Sequence, residues 1–247
     1  MADFSSMSAS SLEALTQQYR TITHNLANAN TPGFKRSRTS FQQLLDSAAA
    51  RAITPGTTGG PGGRLLANNA VDFQQGALTA TGRNLDLAIE GDGFFVLETP
   101  EGPLYTRCGK FRANEEGQLV DGLGRLVAGK NGPIALPAAA STMDVAVGRD
   151  GQITAGGQSI GQLRIVRIDE PAALMPVGNG CFRAPASAEV RDADDVVIHQ
   201  GFHESSNVSV VEELVSLISV TRLYEANLKT MNVQDETTKD LIRVANS

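Results

Sequence analysis

The chain has 247 residues, enough for one large domain or two small ones with a real core. A formal net charge of -6 argues against a nucleic-acid groove or an anionic membrane surface as the partner, and no stretch reaches the roughly 20 apolar residues of a membrane span. Two cysteines, Cys108 and Cys181, exclude a disulfide framework and a thiolate metal cluster, leaving room for one bridge. The opening MADFSSMSASSLEALTQQYR lacks the basic start and continuous apolar block of a cleaved secretory signal. That points to the cytosol unless export uses an uncleaved signal.

From Phe4 to about Ala29 the apolar positions Leu12, Leu15, Tyr19, Ile22 and Leu26 recur at steps of three and four. This narrow stripe with polar flanks is the pattern of a seam helix. Asn30-Thr31-Pro32-Gly33 stops it, because Pro disfavours helix at the residue before it and Gly accepts left-handed geometry. Residues 35–69 read as a flexible linker: FKRSRTSFQQLLDSAAARA admits a short helix around Phe41 to Ala50, and TPGTTGGPGG at 54–63 is linker by composition. The glycines there lack the GK[ST] ending of a phosphate-cradling loop.

From about Ala70 to Arg183 the period switches to two. Leu85, Leu87 and Ile89 alternate with Asp86, Ala88 and Glu90, then Gly91-Asp92-Gly93 leads into the apolar Phe94 to Leu97. Asp-Gly between two such runs predicts a hairpin, and Asp-Gly or Asn-Gly recurs at 121, 131, 150 and 179. The expectation is a meander of short antiparallel strands, with a further strand at 162–168.

Residues 206–246 contain no Pro and no Gly. Leu214, Leu217, Ile218, Tyr224, Leu228 and Met231 supply a second helical seam, with Ser206 or Asn207 as cap and Glu212 and Glu213 at the positive end of the dipole. At about 1.5 Å per residue the run is roughly 60 Å long, too long for a compact domain of this size, and the polar Asp235 and Thr238 weaken its last third. The predicted architecture is α+β. A coiled-coil domain pairs the N- and C-terminal helices (1–34 and 206–247), and a central antiparallel all-β domain (70–205) is a long excursion between them.

Residues for chemistry are sparse. His199 and His203 flank Gly201 with Glu204 following, a spacing that zinc sites use, yet a third ligand must come from elsewhere; two exposed histidines on a turn is the simpler reading. Asn207-Val208-Ser209 matches a glycosylation sequon, for which helix capping is sufficient explanation. No nucleophile elbow occurs. The expectation is no catalytic, cofactor or metal site.

Three blocks carry a resemblance. NLANANTPGFKR (Asn25, Leu26, Ala27, Asn28, Thr31, Pro32, Gly33, Phe34) closely resembles the signature that ends the N-terminal helix of bacterial flagellar basal-body rod and hook proteins. The stretch 73–111 is similar to the same family's middle block, with Gln75-Gly76, Asp86, Gly91, Gly93, Phe94 and Tyr105-Thr106-Arg107. The stretch 206–231 is similar to its C-terminal block, with Ser206, Asn207, Val208, Arg222, Tyr224 and Asn227. His24 and Cys108 depart from the pattern, standing where the family usually has Asn and an acidic residue.

The resemblance implies a structural axial subunit that polymerises helically into the rod, the shaft that crosses the periplasm and serves motility. It implies copies of itself and other rod and hook proteins as partners, and export by the flagellar type III apparatus without cleavage. The short segment between Leu45 and Phe73 favours the proximal rod type, with distal rod or hook-type protein as the alternative. Two readings from other classes are a β-domain binding module dimerised by its helices, and a hydrolase built on His199, His203 and Glu204.

Overall fold

The computed structural model describes residues 2–44, 64–137, 144–193 and 195–245. The predicted linker stretch 54–63 lies outside the described residues, as do residues 45–50 of the predicted short helix. The chain divides into two compact units: one from the described residues of 1–27, 37–71 and 209–247, the other from those of 28–36 and 72–208. The class is α+β, two helices and a large antiparallel β region.

The first unit holds α1 (Ala2–Ala27), β1 (Ser37–Leu44), β2 (Arg64–Val71) and α2 (Val210–Ala245). β1 and β2 form an antiparallel pair in unbroken register from Ser37↔Val71 to Leu44↔Arg64. Part of the stretch read as linker, 35–69, is therefore a two-stranded ribbon, and Phe41 to Leu44 is strand where a helix was predicted. The cause is tertiary: the ribbon packs on α1, and the start of β1 is pinned by a helix side chain described below. α1 and α2 run antiparallel, with Asn25 meeting Glu213 while Leu15 and Tyr19 share a groove with Val220 and Tyr224.

The described residues of the second unit form seventeen strands: β3 (Leu78–Ala80), β4 (Leu87–Glu90), β5 (Phe94–Glu98), β6 (Leu104–Thr106), β7 (Arg112–Ala113), β8 (Leu119–Val120), β9 (Leu126–Gly129), β10 (Gly132–Pro133), β11 (Val145–Val147), β12 (Gln152–Ala155), β13 (Gln158–Gln162), β14 (Ile165–Ile168), β15 (Met175–Gly178), β16 (Cys181–Arg183), β17 (Val190–Asp192), β18 (Val197–Gln200) and β19 (Phe202–Glu204). The main sheet runs β15-β16-β6-β5-β9-β8-β7, with β10 on β9 and β14 joining β5 to β17. Non-sequential order replaces the expected meander. The predicted strand 162–168 is split between β13 and β14.

Four Asp-Gly or Asn-Gly pairs do turn hairpins, at 121 (β8–β9), 131 (β9–β10), 150 (β11–β12) and 179 (β15–β16), the last with Asn179 at φ 51°. Gly91-Asp92-Gly93 does not. β4 pairs with β18, while β5 is claimed by β6, β9 and β14. The two glycines instead turn a corner between sheets: Gly91 sits at φ 103°, and a Cβ on Gly93 would lie 2.8 Å from Ile165 Cγ2. Nor does the preceding run alternate between core and solvent, since Leu87, Ala88 and Ile89 are all buried and Asp86 is 1% exposed. The core assembles Leu87, Ile89, Phe95, Leu97, Phe111, Val127, Ile153 and Ile198, with Phe95 and Phe111 edge to face at 5.1 Å.

Candidate functional site

In the second unit three chain segments, 31–36, 72–77 and 204–208, are tied together by buried polar groups. Glu204 ends β19 with its carboxylate 1% exposed. Its Oε1 accepts from Lys35 Nζ at 2.6 Å and from the Gly76 N–H at 2.8 Å, and its Oε2 lies 3.7 Å from Arg107 Nη1. Lys35 spends its remaining donors on the carbonyls of Gln74 (2.7 Å) and Phe73 (3.4 Å). Arg107 lies over the Phe94 ring at 5.1 Å, and Phe94 packs edge to face on Phe73 at 5.6 Å. Burial pushes the Lys35 ammonium and the Arg107 guanidinium below their ordinary pKa values, and Glu204 opposes that shift for both.

Backbone geometry completes the knot. The Gly33 N–H donates to the Glu204 carbonyl at 2.7 Å, and Gly33 sits at φ 69° with its α-carbon face against the chain: a Cβ there would lie 2.4 Å from the Cys108 nitrogen. Gly76 is equally constrained, by the Ser205 carbonyl. Asn207 does not cap a helix. Its Oδ1 accepts from the Arg36 N–H (2.7 Å) and its Nδ2 donates to the carbonyls of Asp72 (2.9 Å) and Gln74 (3.1 Å). The cap of α2 falls instead to Ser209, whose hydroxyl accepts from the Glu212 N–H at 3.5 Å.

In the first unit the corresponding anchor is Asn25, 1% exposed. Its amide pairs with both backbone groups of Ser37, donating to the carbonyl at 2.8 Å and accepting from the N–H at 2.9 Å, and it also donates to Glu213 Oε1 at 3.3 Å. One helix side chain thus holds the first residue of β1 as a neighbouring strand would. Thr21 adds a hydroxyl contact to Thr39 at 2.7 Å.

Three family models match the chain: "Flagella basal body rod protein" over 7–35, "Flagellar hook protein FlgE/F/G D1 domain" over 88–155, and "Flagellar basal body rod FlgEFG protein C-terminal" over 199–244. The flagellar basal-body rod protein FlgG of Buchnera aphidicola subsp. Schizaphis graminum is 33% identical, across 93% of this chain and 95% of that protein. The chain belongs to the flagellar basal-body rod protein family. FlgF of Rhizobium meliloti is 35% identical across 87% and 86% of the two chains, and FlgG of Bacillus subtilis 32% across 90% and 91%.

Of the residues that carry the sequence resemblance, Asn25, Gly33, Phe94 and Asn207 take part in the two anchors. Asn25, Gly33 and Asn207 are placed above. Asn28 accepts from the Thr31 hydroxyl and N–H as α1 ends, and Phe34 is buried. Asp86 is buried, and its carbonyl accepts from the Gly201 N–H. Ser206 Oγ accepts from the Val208 N–H, Val208 and Pro32 are half-buried, and Ala27 and Arg222 are exposed.

Of the predicted seam, Ile22 is buried, Leu12, Leu15, Leu26, Leu217 and Met231 are half-buried, and Tyr19, Leu214, Ile218, Tyr224 and Leu228 are exposed in the single chain. The face of α2 turned to α1 is centred on Glu213 and Val220, 1% and 3% exposed, neither of which the apolar spacing selected. His199 pairs with Glu90 at 2.6 Å while Glu204 is committed to Lys35, so the histidine spacing does not gather those three groups at one point. Both cysteines are free thiols, raised in pKa by burial. Among the described residues, no helix is long and apolar enough to cross a membrane. Sequence reasoning named Glu204 beside His199 and His203 and Arg107 within the middle block, and joined neither to Lys35, because the three are far apart in sequence and meet only in the fold.

Proposed function

We propose that the chain is a structural subunit of the flagellar basal-body rod, serving motility and carrying no catalysis, and that it polymerises helically with copies of itself and with other axial proteins. The observation that carries this reading is where the apolar surface lies. Among the described residues, nine of the thirteen exposed large hydrophobics are on α2, from Val210 to Val233. A single helix that leaves that much apolar surface in water is an assembly surface in need of neighbours.

In this reading α1 and α2 pair as a coiled coil through Leu12, Leu15, Tyr19, Ile22 and Leu26 against Leu217, Tyr224 and Met231, while Leu214, Ile218 and Leu228 face other subunits. The β unit, residues 28–36 and 72–208, belongs to the same subunit. The rod crosses the periplasm, so the chain leaves the cytoplasm through the flagellar export apparatus without a cleaved signal, and its position is the proximal rod. Basal bodies purified from a strain lacking the gene test this. Structures that stop at or within the proximal rod are expected, and complete rods bearing hooks would overturn it.

A further inference from the structure

Between α1 and α2 lies an apolar groove of about 250 Å³ lined by Leu15, Thr16, Tyr19, Val220, Thr221 and Tyr224. It falls below the roughly 300–1,000 Å³ typical of small-molecule sites. Its two threonine hydroxyls are already spent on their own helices, Thr16 on the Leu12 carbonyl and Thr221 on the Leu217 carbonyl. Nothing polar in the lining threonines awaits a ligand, so the groove suits aliphatic side chains. Tyr19 and Tyr224 at its rim are 46% and 39% exposed, apolar rings left in water in the single chain.

The same helix pair presents a matching protrusion. Val211, Val215 and Ile218 are 71%, 60% and 54% exposed, with Leu214 at the margin at 44%. At 3.6 residues per turn these three form one stripe on the side of α2 opposite Glu213 and Val220, and so away from the groove. A two-fold dimer would have to bring patch and groove of each copy to one shared face. Surfaces that point in opposite directions satisfy each other head to tail, which gives an open chain of copies wherever the rotation between copies does not close into a ring.

We propose that the Val211, Val215 and Ile218 stripe of one copy seats in the Leu15, Tyr19, Val220 and Tyr224 groove of a second copy, making one of the repeating contacts of the polymer. This rests on the polymerising reading above and specifies the surfaces. It also accounts for the displacement of the intrachain face of α2 to Val220: the outward residues serve the neighbour.

Cysteine cross-linking tests it in purified protein and in isolated basal bodies, with the parent chain and its two native thiols as baseline. A mixture of Thr16→Cys and Val215→Cys chains is expected to give a cross-linked dimer that neither gives alone, and a chain carrying both substitutions is expected to give a ladder of three or more copies. Ile218→Asp is expected to raise the concentration needed for polymerisation by at least about tenfold, the equivalent of one lost buried side chain. Polymers visible by electron microscopy with no cross-link above baseline, or a double variant that stops at dimers, would overturn the groove assignment alone. Failure of the parent chain to enter polymers or basal bodies at all would overturn the structural reading on which it rests.

Discussion

Replacing Glu204 by Gln tests how the β unit holds its incoming and outgoing segments. The carboxylate is fully enclosed between Lys35 at 2.6 Å and Arg107 at 3.7 Å, so the change leaves two buried cations without their counter-charge. Breaking a buried pair from one side costs about 3–5 kcal/mol. Two features place this case at the low end: the Gln oxygen still accepts from the Gly76 N–H, and Lys35 keeps the Gln74 carbonyl at 2.7 Å. Burial already lowers the Lys35 pKa, so the unpaired ammonium can shed its proton.

The expected loss is therefore about 3 kcal/mol, roughly a hundredfold in the opening equilibrium. Hydrogen exchange read by mass spectrometry separates the parts of the chain. Segments 33–36, 73–77 and 204–208 are expected to lose protection together, while β4, β5 and β6 keep theirs. Lys35→Met combined with Glu204→Gln is expected to recover part of the loss, because the stranded ammonium is gone. A change below about 1 kcal/mol, or loss confined to residue 204 and its neighbours, would refute the coupling.

Asn25→Ala removes the helix side chain that pairs with both backbone groups of Ser37, leaving them without that partner; a loss of about 2–3 kcal/mol is expected, read as faster exchange at 37–39 with α2 less affected. Gly33→Ala forces a Cβ to within 2.4 Å of the Cys108 nitrogen at a left-handed φ of 69°, so it is expected to cost more than the roughly 1–2 kcal/mol of left-handed strain alone and to lower the thermal midpoint by about 4 °C or more. Burial raises the pKa of both thiols, so iodoacetamide at pH 8 is expected to label half-buried Cys108 slowly and Cys181 only after urea unfolds the chain; rapid labelling of native Cys181 would contradict its placement.

The helices were legible because their signals are local. The three- and four-residue spacing in α1 and the unbroken run of α2 need no knowledge of the rest of the chain, and four of the five Asp-Gly or Asn-Gly turns follow from backbone preference alone. The fifth failed because pairing is decided by competitors: β18 for β4, and β6, β9 and β14 for β5. The ribbon β1–β2 was hidden for a related reason. Its polar composition reads as linker, and what orders it is an amide on another element.

Asn207 is legible as a motif residue, but its work is not capping. An Asn just before a helix is a good cap, and nothing local reveals that its amide reaches Arg36, Asp72 and Gln74 instead. Lys35, Arg107 and Glu204 are far apart in sequence, so no spacing rule joins them. On α2 the periodicity found apolar faces and could not say which one meets α1, since Val220 lies within a helix apolar on several sides.

The central claim is that the helical unit builds a rod subunit. Leu217→Asp places a carboxylate on the half-buried side of α2 without touching the β unit, and its measurement is electron microscopy of basal bodies together with swimming, in a strain whose only copy carries the change. The account predicts truncated basal bodies and loss of swimming, with normal exchange protection in β4 to β6 of the purified variant. Complete rods and normal swimming would contradict it.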